Sequence, residues 1–223
     1  MLLRALALVA PPACPACATA LGGTHDRLCA VCAASVPWIT EPCSRCALPR
    51  PCGRCPDRRA SWDRAWAPAA HAGPARGLVL ALKSRGSRGA ASVMAAQIAA
   101  QAPRDVLAPG AVLVPVPMDP RRRRRRGFDH ADLLARALAS RTGAHVWSCL
   151  RRAPGGERQV GSGRRARTAA GRHALTAKGP LSGGFVVVDD VHTTGATLEA
   201  CARALKGAGA EVVHVLTYTR TLR

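Results

Sequence analysis

Between residues 183 and 220 an apolar run, a short Thr/Gly segment, an amphipathic segment and a second apolar run follow one another. No other stretch restricts the fold as much. "GFVVVDD" is continuously apolar from Val186 to Val188, as a strand covered on both faces requires. The pattern from about 196 to 206 is helical, and the glycines of "KGAGA" close it. "EVVHVLTYT" is the next strand. Strand, helix and strand in that order imply a right-handed crossover and a parallel sheet.

Upstream segments supply the rest of an α/β domain. Residues 76 to 86 read as a helix that stops near Gly86 with Lys83 in its last turns, and 89 to 101 read as another. "AVLVPVPMD", 111 to 119, is a buried strand that Pro115 and Pro117 should end, because proline cannot donate to a ladder. Residues 130 to 143 form an amphipathic helix with Leu133, Leu134, Ala137 and Leu138 on one face and Gly143 as its stop. Residues 145 to 153 read as one strand. The Gly/Arg/Ser-rich stretch 154 to 172 reads as a long functional loop. "PDRRASWD", 56 to 63, looks like a polar linker. The expected organisation is a head over 1–58 and an α/β domain over 59–223.

The head carries eight of the ten cysteines, as four CxxC pairs: Cys14/Cys17, Cys29/Cys32, Cys43/Cys46 and Cys52/Cys55. Two thiolates three positions apart on a tight turn can face one tetrahedral ion, so four pairs suffice for two zinc sites. Sequential pairing, 14/17/29/32 and 43/46/52/55, is the simpler arrangement. Only five residues separate the last two pairs, and interleaved pairing also satisfies the spacing. All-thiolate sites leave no open position for catalysis, so these zincs would fold a segment too small for its own core. His25 reads as a loop residue, and Cys149 and Cys201 as plain buried thiols.

The formal net charge is +20, with only three lysines among 33 basic residues. That balance favours polyanionic partners without choosing among nucleic acid, phosphorylated metabolites and anionic surfaces. The run Arg121 to Arg126 can track phosphates without reading sequence, although such a run is more often a solvated loop. Trp38, Trp62 and Trp66 read as packing between head and body. Residues 1 to 10 read as an amphipathic helix, too short in its apolar stretch to span a bilayer.

Asp189 and Asp190 fall where the strand should end, the edge at which open parallel sheets bind ligands. "HTTGAT" follows at a helix start. Its converging N–H groups suit an anion, Thr193, Thr194 and Thr197 add hydroxyls, and Gly195 admits close approach. Carboxylates beside a phosphate site are consistent only if they face a different part of the ligand. A ribose diol donates to acceptor-only carboxylates, so a sugar phosphate fits both halves. No P-loop and no strand-following GxGxxG is present.

"VVVDDVHTTGATL" resembles the 5-phosphoribosyl-1-pyrophosphate (PRPP) motif of type I phosphoribosyltransferases. Nearly the whole chain is similar to the ComF family of competence-associated proteins, through the CxxC pairs, "ALKSRG", "VPVP", "RRGFDHADLLARAL" and "RQVGSGRRAR". The resemblance implies a double zinc ribbon ahead of a phosphoribosyltransferase-like parallel sheet with flanking helices. It further implies that Asp189 and Asp190 hold the ribose hydroxyls at a catalytic centre and that Thr193, Thr194, Gly195, Ala196 and Thr197 bind the 5-phosphate. Val116 and Pro117 would turn the chain toward pyrophosphate, with Lys83, Arg126 and the loop arginines Arg158, Arg164 and Arg165 also serving PRPP. Mg²⁺ would enter with PRPP. The chain reads "RGFDH" at Arg126 to His130, where the family usually reads "RGFNQ". Two functions follow: a phosphoribosyltransferase linked to DNA uptake or nucleotide salvage, or a non-catalytic single-stranded-DNA-binding competence protein that keeps the sugar-phosphate site. Either implies DNA-uptake partners, with the protein in the cytoplasm or at the inner face of the membrane.

Overall fold

The structure is a computed structural model that describes residues 12–22, 27–53, 55–152 and 175–222. The expected helix over 1–10, His25, and the 154–172 loop with Arg158, Arg164 and Arg165 lie outside those residues.

A parallel sheet organises the chain. Its strands run β1 (Arg64–Trp66), β8 (Val212–Arg220), β7 (Gly184–His192), β3 (Val112–Pro115) and β4 (His145–Val146) in spatial order, and β2 (Ala69–Ala70) also pairs with β8. Every pairing in it is parallel. Side chains alternate across it. Val186, Val188, Leu216 and Tyr218 pack under α2 (Gly73–Arg85), α3 (Arg88–Gln101) and α5 (His130–Thr142), through Leu78, Leu82, Met94, Ile98, Leu134 and Leu138. Val187, Val213, Val215 and Val114 face the other way, onto Leu198, Cys201 and Leu205 of α6 (Ala196–Gly207). With so few aromatics, small side chains let helices and sheet approach closely. The one tyrosine, Tyr218, is fully buried and donates its hydroxyl to Gln97 Oε1 at 2.6 Å.

Helix ends follow the chain's own signals. Gly86 and Gly143 adopt left-handed φ of 60° and 71° and terminate α2 and α5. Ser87 caps α3 by accepting from the Ala90 N–H.

Three expectations are corrected. The stretch 145–153 is not one strand: β4 stays in the sheet, the Cys149 N–H folds back to the Trp147 carbonyl, and β5 (Leu150–Arg152) leaves to pair antiparallel with β6 (Leu175–Ala177). Residues 56–63 are not a solvated linker. Asp57 and Trp62 are buried, Ser61 bonds Glu199 from both its N–H and its hydroxyl, and Asp63 accepts the Val213 N–H at 2.7 Å. Arg121 to Arg126 are not a loop. They form α4 (Pro120–Arg126), because Asp119 accepts from the Arg121 and Arg122 N–H groups, Pro120 suits a first turn, and Gly127 at φ 78° closes it. Of the head tryptophans, Trp62 and Trp66 are buried as expected, whereas Trp38 is 40% exposed.

In the head, Cys14 and Cys43 begin two knuckles of the same design. Each cysteine carbonyl accepts from the residue four positions on, Ala18 or Ala47, and both alanines take positive φ, 66° and 55°. The short helix α1 (Ala30–Ala34) carries Cys32. The first knuckle sits on α2 at Gly77, where an added Cβ would fall inside the Ala16 carbonyl oxygen. Gly77→Ala is therefore expected to cost about 1–3 kcal/mol by overpacking against main chain. A fall in the denaturant midpoint at unchanged slope would show it; an unchanged midpoint would mean that knuckle and helix do not meet.

Candidate functional site

Strand β7 outruns its neighbour on one side. Pairing with β3 ends at Pro115 opposite Val188, while pairing with β8 continues to His192 opposite Arg220. The strand therefore does not end at the acids, as expected, but runs two residues further, because β8 keeps supplying partners. Asp189 and Asp190 lie on the flank that β3 vacates.

The two acids differ. The Asp190 side chain is only 2% exposed; its Oδ1 stands 3.0 Å from Lys83 Nζ, and its Oδ2 has no hydrogen-bond partner among the described residues. Asp189 Oδ1 accepts the Asp190 N–H at 2.9 Å. His130, the first residue of α5, brings Nε2 to 3.8 Å from Asp189 Oδ1 and 3.7 Å from Asp190 Oδ2. Burial, then the charge of Asp190, hold the Asp189 carboxyl well above its ordinary range. Burial lowers the His130 pKa despite the pull of Asp190 and Asp129, which favours the neutral ring. Nothing in the motif pointed to His130 as part of this group. The available signal was its place directly after a helix-capping Asp, at the edge where the acids sit.

Asp129 does that capping. Its Oδ1 accepts from the Ala131 and Asp132 N–H groups, and its Oδ2 takes the Met118 N–H at 3.2 Å, which ties the turn after β3 to α5. Asp129→Ala should cost about 1–2 kcal/mol, at the upper end for a cap since a second tie is lost. Denaturant unfolding measures it. Asn at the same position, which keeps the acceptor, should restore most of the loss.

Thr193 and Thr194 are exposed and Gly195 is buried, followed at once by α6. Gly195 is the cap of that helix at φ 76° and offers it no side chain; an added Cβ would lie 3.0 Å from His192 Nε2 and 3.2 Å from both Asp57 Oδ1 and Trp62. Ala196 and Thr197 begin the helix. Beneath the loop, His192 Nε2 is 3.1 Å from Asp57 Oδ2, and the Trp62 ring stands edge-on to the imidazole. Val116 points its side chain into the core and contributes its N–H to the Val188 carbonyl, and Pro117 is half-buried beside it. Arg126 is half-buried, and its charge acts on His130; Arg121 to Arg125 are exposed. The structure thus brings together Asp189, Asp190, Lys83 and His130, sets the 193–197 loop next along the same strand, and keeps the Val116 side chain out.

Two groups of four cysteines are each close enough to hold a metal ion: Cys14, Cys17, Cys29, Cys32 and Cys43, Cys46, Cys52, Cys55, with all sulfurs of a group within 4.8 Å. The grouping is the sequential one. Tetrahedral zinc–thiolate bonds imply sulfurs about 3.8 Å apart, and Cys17 and Cys29 are 3.7 Å apart. The Thr19 hydroxyl beside Cys17 lowers that thiol to about 6. Burial opposes ionisation of Cys43, but the Arg45 and Cys46 N–H groups bring it down to about 7. Burial pushes their cluster partners Cys32 and Cys46 up, so in each group thiols of opposite tendency stand together and a cation would be needed to ionise all four. His130, Asp189 and Asp190 form a third group of the same compactness, with neutral nitrogen and carboxylate donors. Cys149 and Cys201 are fully buried, and burial pushes both thiols up.

Fold and site together define an α/β protein with a parallel sheet, an acid pair at an open strand flank, and a head of two four-cysteine clusters. No family model matches the chain. Curated relatives do. The chain is 34% identical over 227 residues to the "DNA utilization protein YhgH" of Salmonella typhi, a match that covers 96% of this chain and all of the relative. To the proteins of the same name from Salmonella typhimurium and Escherichia coli K12 it is 32% and 31% identical, over the same shares of each chain. The chain belongs to this family of DNA utilization proteins.

Proposed function

We propose that this protein binds a phosphorylated ribose, PRPP foremost, at the flank of β7, and that it serves DNA utilization as a phosphoribosyltransferase-like protein of the ComF type. The observation that carries the reading is the acid pair set one loop before a helix start whose cap is a bare glycine. Asp189 and Asp190 accept hydrogen bonds from the ribose hydroxyls. The 193–197 loop and the first N–H groups of α6 take the 5-phosphate. Lys83 Nζ, 3.0 Å from Asp190 Oδ1, pairs with the buried acid. Mg²⁺ would enter largely hydrated with the diphosphate and offset charge on a departing pyrophosphate, leaving Asp189 and Asp190 to the ribose. The division at 58/59 then separates a metal-organised head from the ligand-binding unit.

One observation favours the second reading, a single-stranded-DNA-binding protein that keeps this site. The relatives are named for DNA utilization, and α4 presents arginines from 121 to 125 to solvent. Among the described residues no helix is long and apolar enough to cross a membrane.

Calorimetric titration with PRPP and Mg²⁺ tests the first reading. Wild type should bind, and the double variant Asp189→Asn, Asp190→Asn should not. Pyrophosphate release with a panel of bases would establish transfer. Single-strand binding that weakens steeply with salt and survives the double variant would favour the second. Failure of wild type to bind any pentose phosphate would end the first.

A further inference from the structure

The second four-cysteine cluster is wired into the sheet beneath the 193–197 loop. Its knuckle runs Cys43-Ser44-Arg45-Cys46, and three successive carbonyls are claimed by the domain. Ser44 O accepts from Ala65 N–H at 2.8 Å, Arg45 O from Trp62 Nε1 at 2.8 Å, and Cys46 O from Arg220 Nε at 2.7 Å. Arg45 returns the contact, its guanidinium donating to the Ala60, Trp62 and Asp63 carbonyls.

Arg220 carries the connection onward. It is the last residue of β8 and 4% exposed. While Nε holds the knuckle, Nη1 donates to the carbonyls of His192, at 2.8 Å, and Thr193, where the loop begins, and Nη2 stands 3.8 Å from Asp57 Oδ2. A guanidinium is planar, so its donors keep one fixed relation. Moving the Cys46 carbonyl must therefore move the plane that holds the loop or break a buried bond. The first cluster packs elsewhere, with Ala16 on α2 and Arg27 donating to Ser92 of α3.

We propose that the metal held by Cys43, Cys46, Cys52 and Cys55 sets the conformation of the 193–197 loop through Arg220, so that the loop binds its ligand only while that cluster is loaded. Arg220 is a positioning residue. The ligand half of this statement rests on the sugar-phosphate reading; the coupling of cluster to loop does not.

The full chain, loaded with zinc, is compared with Cys52→Ser/Cys55→Ser and with Cys17→Ser/Cys29→Ser. Each variant should hold one zinc fewer. Amide hydrogen exchange over residues 193–198 should speed up by about tenfold or more in the first variant and stay within about twofold in the second. Ribose 5-phosphate affinity should fall in parallel. Arg220→Lys, which keeps the charge but not the fork, should loosen the loop with both zincs retained, and adding Cys52→Ser/Cys55→Ser to it should produce no further change. Unchanged loop exchange after loss of the second cluster, or equal changes from either cluster, overturns the proposal. If ribose 5-phosphate binds no form while the loop responds as expected, the sugar-phosphate reading falls and the coupling stands. If the second-cluster variant loses protection in β7 and β8 as well, Arg220→Lys alone decides: an unchanged loop refutes the coupling.

Discussion

Asp189→Asn should make the protein more stable and, on the sugar-phosphate reading proposed above, weaken ribose-phosphate binding. The wild-type carboxyl is half-buried, with 15% of its side chain exposed, beside the charge of Asp190, and its pKa stands well above the ordinary 3.8. Such a group binds its proton more tightly folded than unfolded. Its contribution to stability is complete below about pH 4 and is lost as pH rises toward the folded pKa, at up to about 1.4 kcal/mol per pH unit. The amide never ionises, and its oxygen can still accept the Asp190 N–H. The melting temperatures of variant and wild type should therefore coincide near pH 4 and separate as pH rises to 7, with the variant higher. About 2–4 °C per kcal/mol is the scale for a chain of this size. His130 titrates with the opposite sign: its lowered pKa withdraws stability as pH falls below 6.5. Because its Nε2 lies 3.8 Å from Asp189 Oδ1, the comparison is made in a His130→Gln background, which leaves the difference to Asp189. On that reading binding should move the other way, since the variant would offer a ribose one carboxylate oxygen fewer. A gap independent of pH would mean that Asp189 is an ordinary surface acid, and one that shrinks with rising pH that the fold favours its carboxylate; a gap that grows while binding persists would mean that the acid serves something other than the ligand.

Metal withdrawal should have the largest structural effect. The head's own buried cluster is Cys14, Leu21 and Cys32, and two of those three are themselves candidate ligands. Among the described residues of the head no other cluster of its own forms; Val36 and Ala47 pack into the cores on the two sides of the sheet instead, so the head lacks a core able to offset its chain entropy. Structural zinc in comparable small modules is worth on the order of 10 kcal/mol. A strong chelator should release two zinc ions per chain, and thermal unfolding should begin on the order of 10 °C earlier. Trp62 reports the second cluster, because its indole donates to Arg45 inside that knuckle. Its fluorescence should shift to the red on chelation and recover on adding zinc. A melt and an emission spectrum indifferent to chelator would show that head and sheet hold together without metal.

The two substitutions placed on backbone contacts test a different layer. Gly77 and Asp129 were legible only as a helix residue and as a departure from a family pattern. Their roles, admitting the Ala16 carbonyl and holding Met118 to α5, need positions that are far apart in the chain.

By itself the sequence determined whatever depends on neighbours along the chain. The 186–188 valines, the glycine stops at 86 and 143 and the spacing of the four CxxC pairs each state a local requirement, and each is met where it was read. Tertiary structure decided the rest. It carried β7 past its acids because β8 lay alongside. It made a helix of the arginine run and turned 56–63 from a linker into an anchor. It brought Lys83 and His130 to Asp190 and ran Arg220 from a cysteine knuckle to the loop. Local geometry costs the chain only its own torsions and caps. Pairing buried charges and carbonyls depends on which distant elements arrive beside them, and periodicity along one segment holds no record of that.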